Sequence, residues 1–97
     1  MALTIVGTNI LKVTGTTAAA QKVYERSDGS GVRVKAVYWY NITAAGDKLN
    51  LIDSKGNDII PIIAEANASS LFFPIDTFVP DIYCDDMDSG TLYIYIR

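Results

Sequence analysis

The sequence predicts an all-β protein, a single-domain antiparallel β-sandwich or jelly roll of about eight strands spanning residues 1–97. Three observations carry that expectation. Twelve Ile, seven Val and eight Thr stand against six Leu, and branched side chains are stiff and pack well on a pleated surface. Apolar and polar residues alternate with period two along the longest runs. Clusters of Gly, Pro, Asn and Asp then cut the chain into short segments at the spacing of a sandwich or barrel.

Taken in order, Thr17–Lys22 opens with a plausible helix cap and three alanines, yet the surrounding strand pattern favours strand and loop. Ser27-Asp28-Gly29-Ser30-Gly31 is a loop with two glycines free to take positive φ. The longest run follows, with Val32, Val34, Ala36, Tyr38 and Tyr40 expected on one face and Arg33, Lys35, Val37, Trp39 and Asn41 on the other. Ala44–Asp47 turns the chain into Lys48–Ile52, where Leu49 and Leu51 share a side. Asp53–Asn57 reads as a hairpin turn with Gly56 left-handed. Its partner is Asp58–Ile63, in which Pro61 cannot donate to a ladder and so marks an edge or a bulge. Ala64–Ala68 also reads as strand and loop. Leu71–Phe73, Thr77–Val79 and Ile82–Cys84 are short strands punctuated by Pro74 and Pro80. Asp88–Gly90 then turns into a last strand with Leu92, Ile94 and Ile96 on one face and Thr91, Tyr93, Tyr95 and Arg97 on the other.

Composition excludes several chemistries. The chain has no His and one Cys, which removes imidazole catalysis, a Cys-rich zinc site and an internal disulfide. No glycine-rich phosphate cradle and no nucleophile–base pair can be assembled, so no enzyme, cofactor or metal is expected. Asp85-Asp86-Met87-Asp88-Ser89-Gly90 places hard oxygen ligands on a turn but fails the spacing of a calcium loop, and local amide bonding is the expected use of these acids. Cys84, beside three acids, is expected to be a buried and unreactive thiol. The formal charge is −3, which argues against nucleic-acid binding. The charge is unevenly spread: residues 1–40 hold five bases and two acids, residues 41–97 three bases and nine acids. The opening residues lack a signal-peptide pattern and no window is long and apolar enough to span a membrane, so neither secretion nor membrane insertion is expected.

What the residues do suggest is association. Ile59, Ile60, Ile62 and Ile63 put apolar groups on both faces of one segment, more than a chain of this size readily covers alone. The expected contact surfaces are Ile60, Pro61 and Ile62 at the proline-bearing strand, Tyr93 and Tyr95 on the last strand, and the acidic residues Asp81, Asp85, Asp86 and Asp88 facing a basic partner. Tyr38, Trp39 and Tyr40, extended by Tyr93 and Tyr95, form an alternative aromatic platform for a sugar or peptide.

The segments Val32-Arg33-Val34-Lys35-Ala36-Val37-Tyr38-Trp39-Tyr40, Gly46-Asp47-Lys48-Leu49-Asn50-Leu51-Ile52-Asp53 and Gly56-Asn57 have a further bearing. With the ending Ser89-Gly90-Thr91-Leu92-Tyr93-Ile94-Tyr95, they resemble small virion proteins of tailed bacteriophages, of the capsid decoration (cement) type. The resemblance covers roughly residues 32–97 and rests on strand-and-turn patterns. It implies a β-sandwich or jelly roll that forms a dimer or trimer, binds the major capsid protein on the outside of the head between capsomers, and is made in the host bacterial cytoplasm for the virion. A ligand- or carbohydrate-binding β-module, or a tail or fibre component of the same virion, is the alternative.

Overall fold

In the computed structural model, residues 2–6, 9–65 and 69–97 are described. They form nine strands: β1 (Ala2–Val6), β2 (Ile10–Thr14), β3 (Gln21–Tyr24), β4 (Val32–Tyr40), β5 (Lys48–Ile52), β6 (Asp58–Ile63), β7 (Ser70–Val79), β8 (Ile82–Met87) and β9 (Thr91–Ile96). A five-stranded sheet has the order β1-β2-β9-β4-β7, a four-stranded sheet the order β3-β8-β5-β6, and every pairing is antiparallel. With β1 set aside, strands pair from the chain ends inward: β2 with β9, β3 with β8, β4 with β7, β5 with β6. Successive pairs fall in alternate sheets. A long hairpin bent at the β5–β6 turn and rolled in this way is a jelly roll.

The two inner faces meet in one apolar core. Leu11, Val13, Trp39, Leu49, Leu51, Ile82, Met87, Leu92 and Ile94 are all buried there. Each large side chain taken fully out of water contributes about 1.5–3 kcal/mol, which lets so short a chain offset its conformational entropy. The core side of β9 is Leu92, Ile94 and Ile96, as its alternation requires.

β4 departs from simple alternation. Between Val34 and Ala36 it uses two residue steps where β9 uses one and β7 uses three. The irregularity is a β-bulge at Lys35, and it reverses the facing of the strand. Before it, Val32 and Val34 point into the core; after it, Val37 and Trp39 do, while Ala36, Tyr38 and Tyr40 turn outward. The single face expected from Val32 to Tyr40 is therefore split, because strict period two assumes an unbroken ladder. Trp39 is fully buried and is no part of an aromatic platform.

Two further expectations change. Leu71–Phe73 and Thr77–Val79 are not separate strands but one ten-residue strand running through Pro74. As β7 lies at a sheet edge, half its backbone groups have no ladder partner, and a residue lacking N–H is tolerated. The first sixteen residues, for which the pattern offered no element, supply β1 and β2. Within Thr17–Lys22, Thr17 bridges to Met87 and β3 begins at Gln21. Of Ala64–Ala68, the last three residues lie outside the described residues.

The β4 and β9 ends are locked by one polar cluster. The Trp39 indole N–H donates to the Ser89 carbonyl at 2.8 Å. The Ser89 hydroxyl donates to Asp47 Oδ2 at 2.6 Å and accepts from the Thr43 amide at 3.2 Å. Gly90, at φ 81°, passes so close that a Cβ there would lie 2.5 Å from the Tyr40 carbonyl oxygen and 3.0 Å from the indole nitrogen. Gly90→Ala therefore combines left-handed strain with a backbone clash, and should cost at least about 2 kcal/mol. Gly56→Ala, at φ 84° with nothing within 4 Å of the added carbon, should cost about 1 kcal/mol of strain alone. Thermal melts of the two variants compare these costs; equal losses would mean that the close approach at Gly90 is not a constraint.

Candidate functional site

The reversal of β4 assembles an aromatic surface on the outer side of the five-stranded sheet. Ladder partners across β2, β9, β4 and β7 place Lys12, Tyr93, Tyr38 and Phe72 in one row. The flanking rows are Ile10, Tyr95, Ala36, Pro74 and Thr14, Thr91, Tyr40, Ser70. Tyr38 is the hub, with ring centroids 5.9 Å from Tyr40, 6.1 Å from Tyr93 and 6.3 Å from Phe72. Tyr95 and Phe72, from strands on either side of β4, meet edge-on at 6.4 Å. Ala36 lies between those strands with a mere methyl group and leaves them room. The Lys12 ammonium sits 5.9 Å from the Tyr93 ring centroid, within cation–π range.

The face remains open to water. Phe72 and Tyr40 are 57% and 50% exposed, and Tyr38, Tyr40, Tyr93 and Tyr95 enclose a shallow depression of about 200 Å³. Ring-to-ring contact holds the aromatics in place, and their phenol hydroxyls remain able to donate and accept. Beyond the rings lie Arg33 and Lys35, with Asp76 3.0 Å from the first and 4.0 Å from the second. The Arg33 hydrogen bond and then the Lys35 charge hold the Asp76 carboxyl below its ordinary value. The five strands of this sheet carry three bases and one acid; those of the other sheet carry two bases and three acids. The uneven charge of the sequence thus becomes a difference between the two sheets.

The structure brings Tyr93 and Tyr95 together with Tyr38 and Tyr40 and leaves the other expected contact residues elsewhere. Pro61 is exposed on the edge strand β6, Ile60 is half-buried against the core, and Ile62 is buried within it. Asp81 is also buried, its Oδ1 accepting from the Ser54 amide at 2.7 Å. Together with Asp53, which accepts from the Lys55 and Asn57 amides at 2.9 Å each, it holds the β5–β6 turn. The Asn57 bonds keep the Asp53 carboxyl below its ordinary value despite burial. Phe72 is the site residue that sequence reasoning missed. Its signal was present: Phe72, Pro74, Asp76 and Phe78 alternate with Leu71, Phe73, Ile75 and Thr77 straight through the proline.

The remaining acids form a different kind of place. Asp88 accepts from the Lys48 amide at 2.8 Å. The neighbouring Asp88 side chain, followed by desolvation, raises the pKa of Asp86, while the Asp86 side chain and the Lys48 amide lower that of Asp88. Asn50 Oδ1 and Asp86 Oδ1, on opposed residues of β5 and β8, are buried without a hydrogen-bond partner among the described residues. Cys84 is buried, its thiol pushed up to about 11 chiefly by desolvation, and is no nucleophile at neutral pH. Among the described residues no three acids or thiols are arranged to hold a metal ion. Comparison of the chain with protein-family profiles, curated proteins and solved structures finds no match.

Because its folded-state pKa is raised, the charged form of Asp86 weakens the fold at neutral pH, and this loss is relieved as pH falls through the raised value. Asp86→Asn is neutral throughout and supplies an amide donor beside Asn50 Oδ1. Its melting midpoint should exceed that of the wild type at pH 7, with the gap closing on acidification. A lower midpoint at pH 7 would contradict this assignment.

Proposed function

We propose that this chain is a structural virion protein without catalytic activity, a capsid decoration (cement) protein. On this reading it docks on the outside of a tailed-phage head between capsomers and stabilises the assembled shell. The observation that carries the reading is the contiguous outer surface of Tyr38, Tyr40, Tyr93, Tyr95 and Phe72. Tyrosine and phenylalanine are enriched where proteins meet, because they contribute large contact area at low side-chain entropy, and tyrosine also keeps a polar tip. The neighbouring bases Lys12, Arg33 and Lys35 suit a partner surface with acidic groups. The absence of His from the sequence and the raised thiol of Cys84 support a binding role rather than a catalytic one.

Cement action needs no chemistry. A protein that binds only the assembled lattice stabilises it by about 2.7 kcal/mol per site at a hundredfold excess over Kd. Repetition around a shell multiplies that effect.

One observation favours a second reading, a carbohydrate-binding module. The tyrosine-lined depression of about 200 Å³ is small beside ordinary ligand pockets of roughly 300–1,000 Å³. It suits a single sugar ring stacked on a phenol face. Trp39 lies in the core and cannot report on such binding, so saturation-transfer NMR on the tyrosine rings is the appropriate readout. Transfer to those rings from a saccharide would favour this reading.

The decoration reading is tested by sedimentation with intact phage heads. The wild-type protein should pellet with assembled heads and stay in solution with free capsid subunits. The double variant Tyr38→Ala/Tyr93→Ala should bind at least about 30-fold more weakly, as loss of interface anchors does, while remaining folded. A wild-type protein that ignores intact heads, or a double variant that pellets equally well, would overturn the proposal. A copy number of a handful per virion would move the protein to the tail.

A further inference from the structure

The four sheet edges are unequal. β7 carries Pro74 and Asp76, and β6 carries Pro61 and Asp58. β3 has four residues, includes Lys22, and shifts register against β8. Proline, charge, brevity and irregularity are the devices by which natural sheets keep their edges from pairing with other chains. β1 has none of them. Its residues Ala-Leu-Thr-Ile-Val are uncharged, lack proline, and pair with β2 in unbroken register from Ala2–Thr14 to Val6–Ile10.

β1 is also the strand beyond the eight that make the jelly roll. Leu3 and Ile5 pair with Val13 and Leu11, so they point to the core side of the sheet. Val13 and Leu11 are buried there, yet Leu3 is 39% and Ile5 61% exposed. The five-stranded sheet thus overhangs the four-stranded one, and two apolar side chains aim at a core that does not reach them.

We infer that β1 pairs antiparallel with β1 of a second copy, joining two five-stranded sheets into one of ten strands. The segment is self-complementary. With Thr4 on the two-fold axis, Thr4 faces Thr4 of the other copy and each Leu3 faces an Ile5. Four apolar side chains then form one strip between the two cores, with no like charges opposed. A second copy is favoured over a foreign strand because the same five residues satisfy both sides of the contact. The inference does not depend on what the aromatic face binds, since Tyr38 and its neighbours lie on the outer side of the sheet and Leu3 and Ile5 on the inner.

Two measurements test it. Analytical ultracentrifugation should give twice the chain mass for the wild type, and the mass of one chain for Ile5→Lys at the same concentration, with an unchanged melting profile at high dilution. Ile63→Lys, on the protected edge β6, should remain dimeric. Thr4→Cys should form a covalent dimer under mild oxidation, because facing residues of an antiparallel pair lie about 4.5–5.5 Å apart at Cα, within disulfide reach. Thr14→Cys, on the internal strand β2, should not. A wild type that stays monomeric at its highest soluble concentration would overturn the inference. So would an Ile5→Lys chain that stays dimeric, or a Thr4→Cys chain that does not cross-link. Failure to bind phage heads would leave it intact.

Discussion

The bulge at Lys35 ties the core of this protein to its outer surface, because one residue in β4 changes which side chains point each way. Had β4 alternated strictly from Val32, Trp39 and Val37 would face water, and Tyr38 and Tyr40 would be driven into the core. With the bulge, four apolar residues of one strand, Val32, Val34, Val37 and Trp39, all reach the interior. The same step turns Tyr38 and Tyr40 outward beside Tyr93 on the neighbouring strand. A core and an exposed aromatic face are thereby written in the same nine residues. The polar cluster around Ser89, and the glycine that lets Trp39 approach it, hold this arrangement at the end of the strand.

Apart from Ile63, exposed on β6, two regions of apolar surface outside the core differ in character. The outer face of the five-stranded sheet is aromatic, hydroxyl-tipped and accompanied by bases, a composition suited to a contact that forms and dissolves on a hydrated partner. The β1 overhang is aliphatic and uncharged and adjoins the core itself, a composition suited to a permanent contact. A jelly roll hosts many unrelated functions, so the winding of the chain decides little about its role. The side chains projecting from that frame, and the edge left unprotected, carry the functional argument.

Fold class, turns and the strands from residue 32 onward other than β7 were legible because β-branched content, period-two alternation and glycine-bearing turns all agreed. Gly29, Gly31, Gly56 and Gly90 do take positive φ. The bulge was not legible, because alternation stops at Lys35 and Ala36–Tyr40 are apolar or aromatic throughout, which leaves no periodic signal of which side faces the core. That single omission misplaced Trp39 and merged two faces into one. Pro74 misled in the opposite direction: a proline ends a central strand but not an edge strand, and edge position is a property of the assembled sheet. The acids at Asp81 and Asp88 looked like a surface patch, yet each binds a backbone amide of a distant turn or strand. Such contacts depend on residues 27 and 40 positions away and lie beyond any reading of neighbours. Tyr93 and Tyr95 were legible as an outward pair because β9 alternates without interruption.

Tryptophan fluorescence tests the bulge most directly, since Trp39 is the single tryptophan of the chain and lies on the residue pair that the bulge reverses. A buried Trp39 should give blue-shifted emission that acrylamide fails to quench until the protein unfolds. Emission at the wavelength of free indole, quenched freely in the native protein, would place Trp39 on the outside and contradict the facing of β4 on which both core and aromatic surface rest.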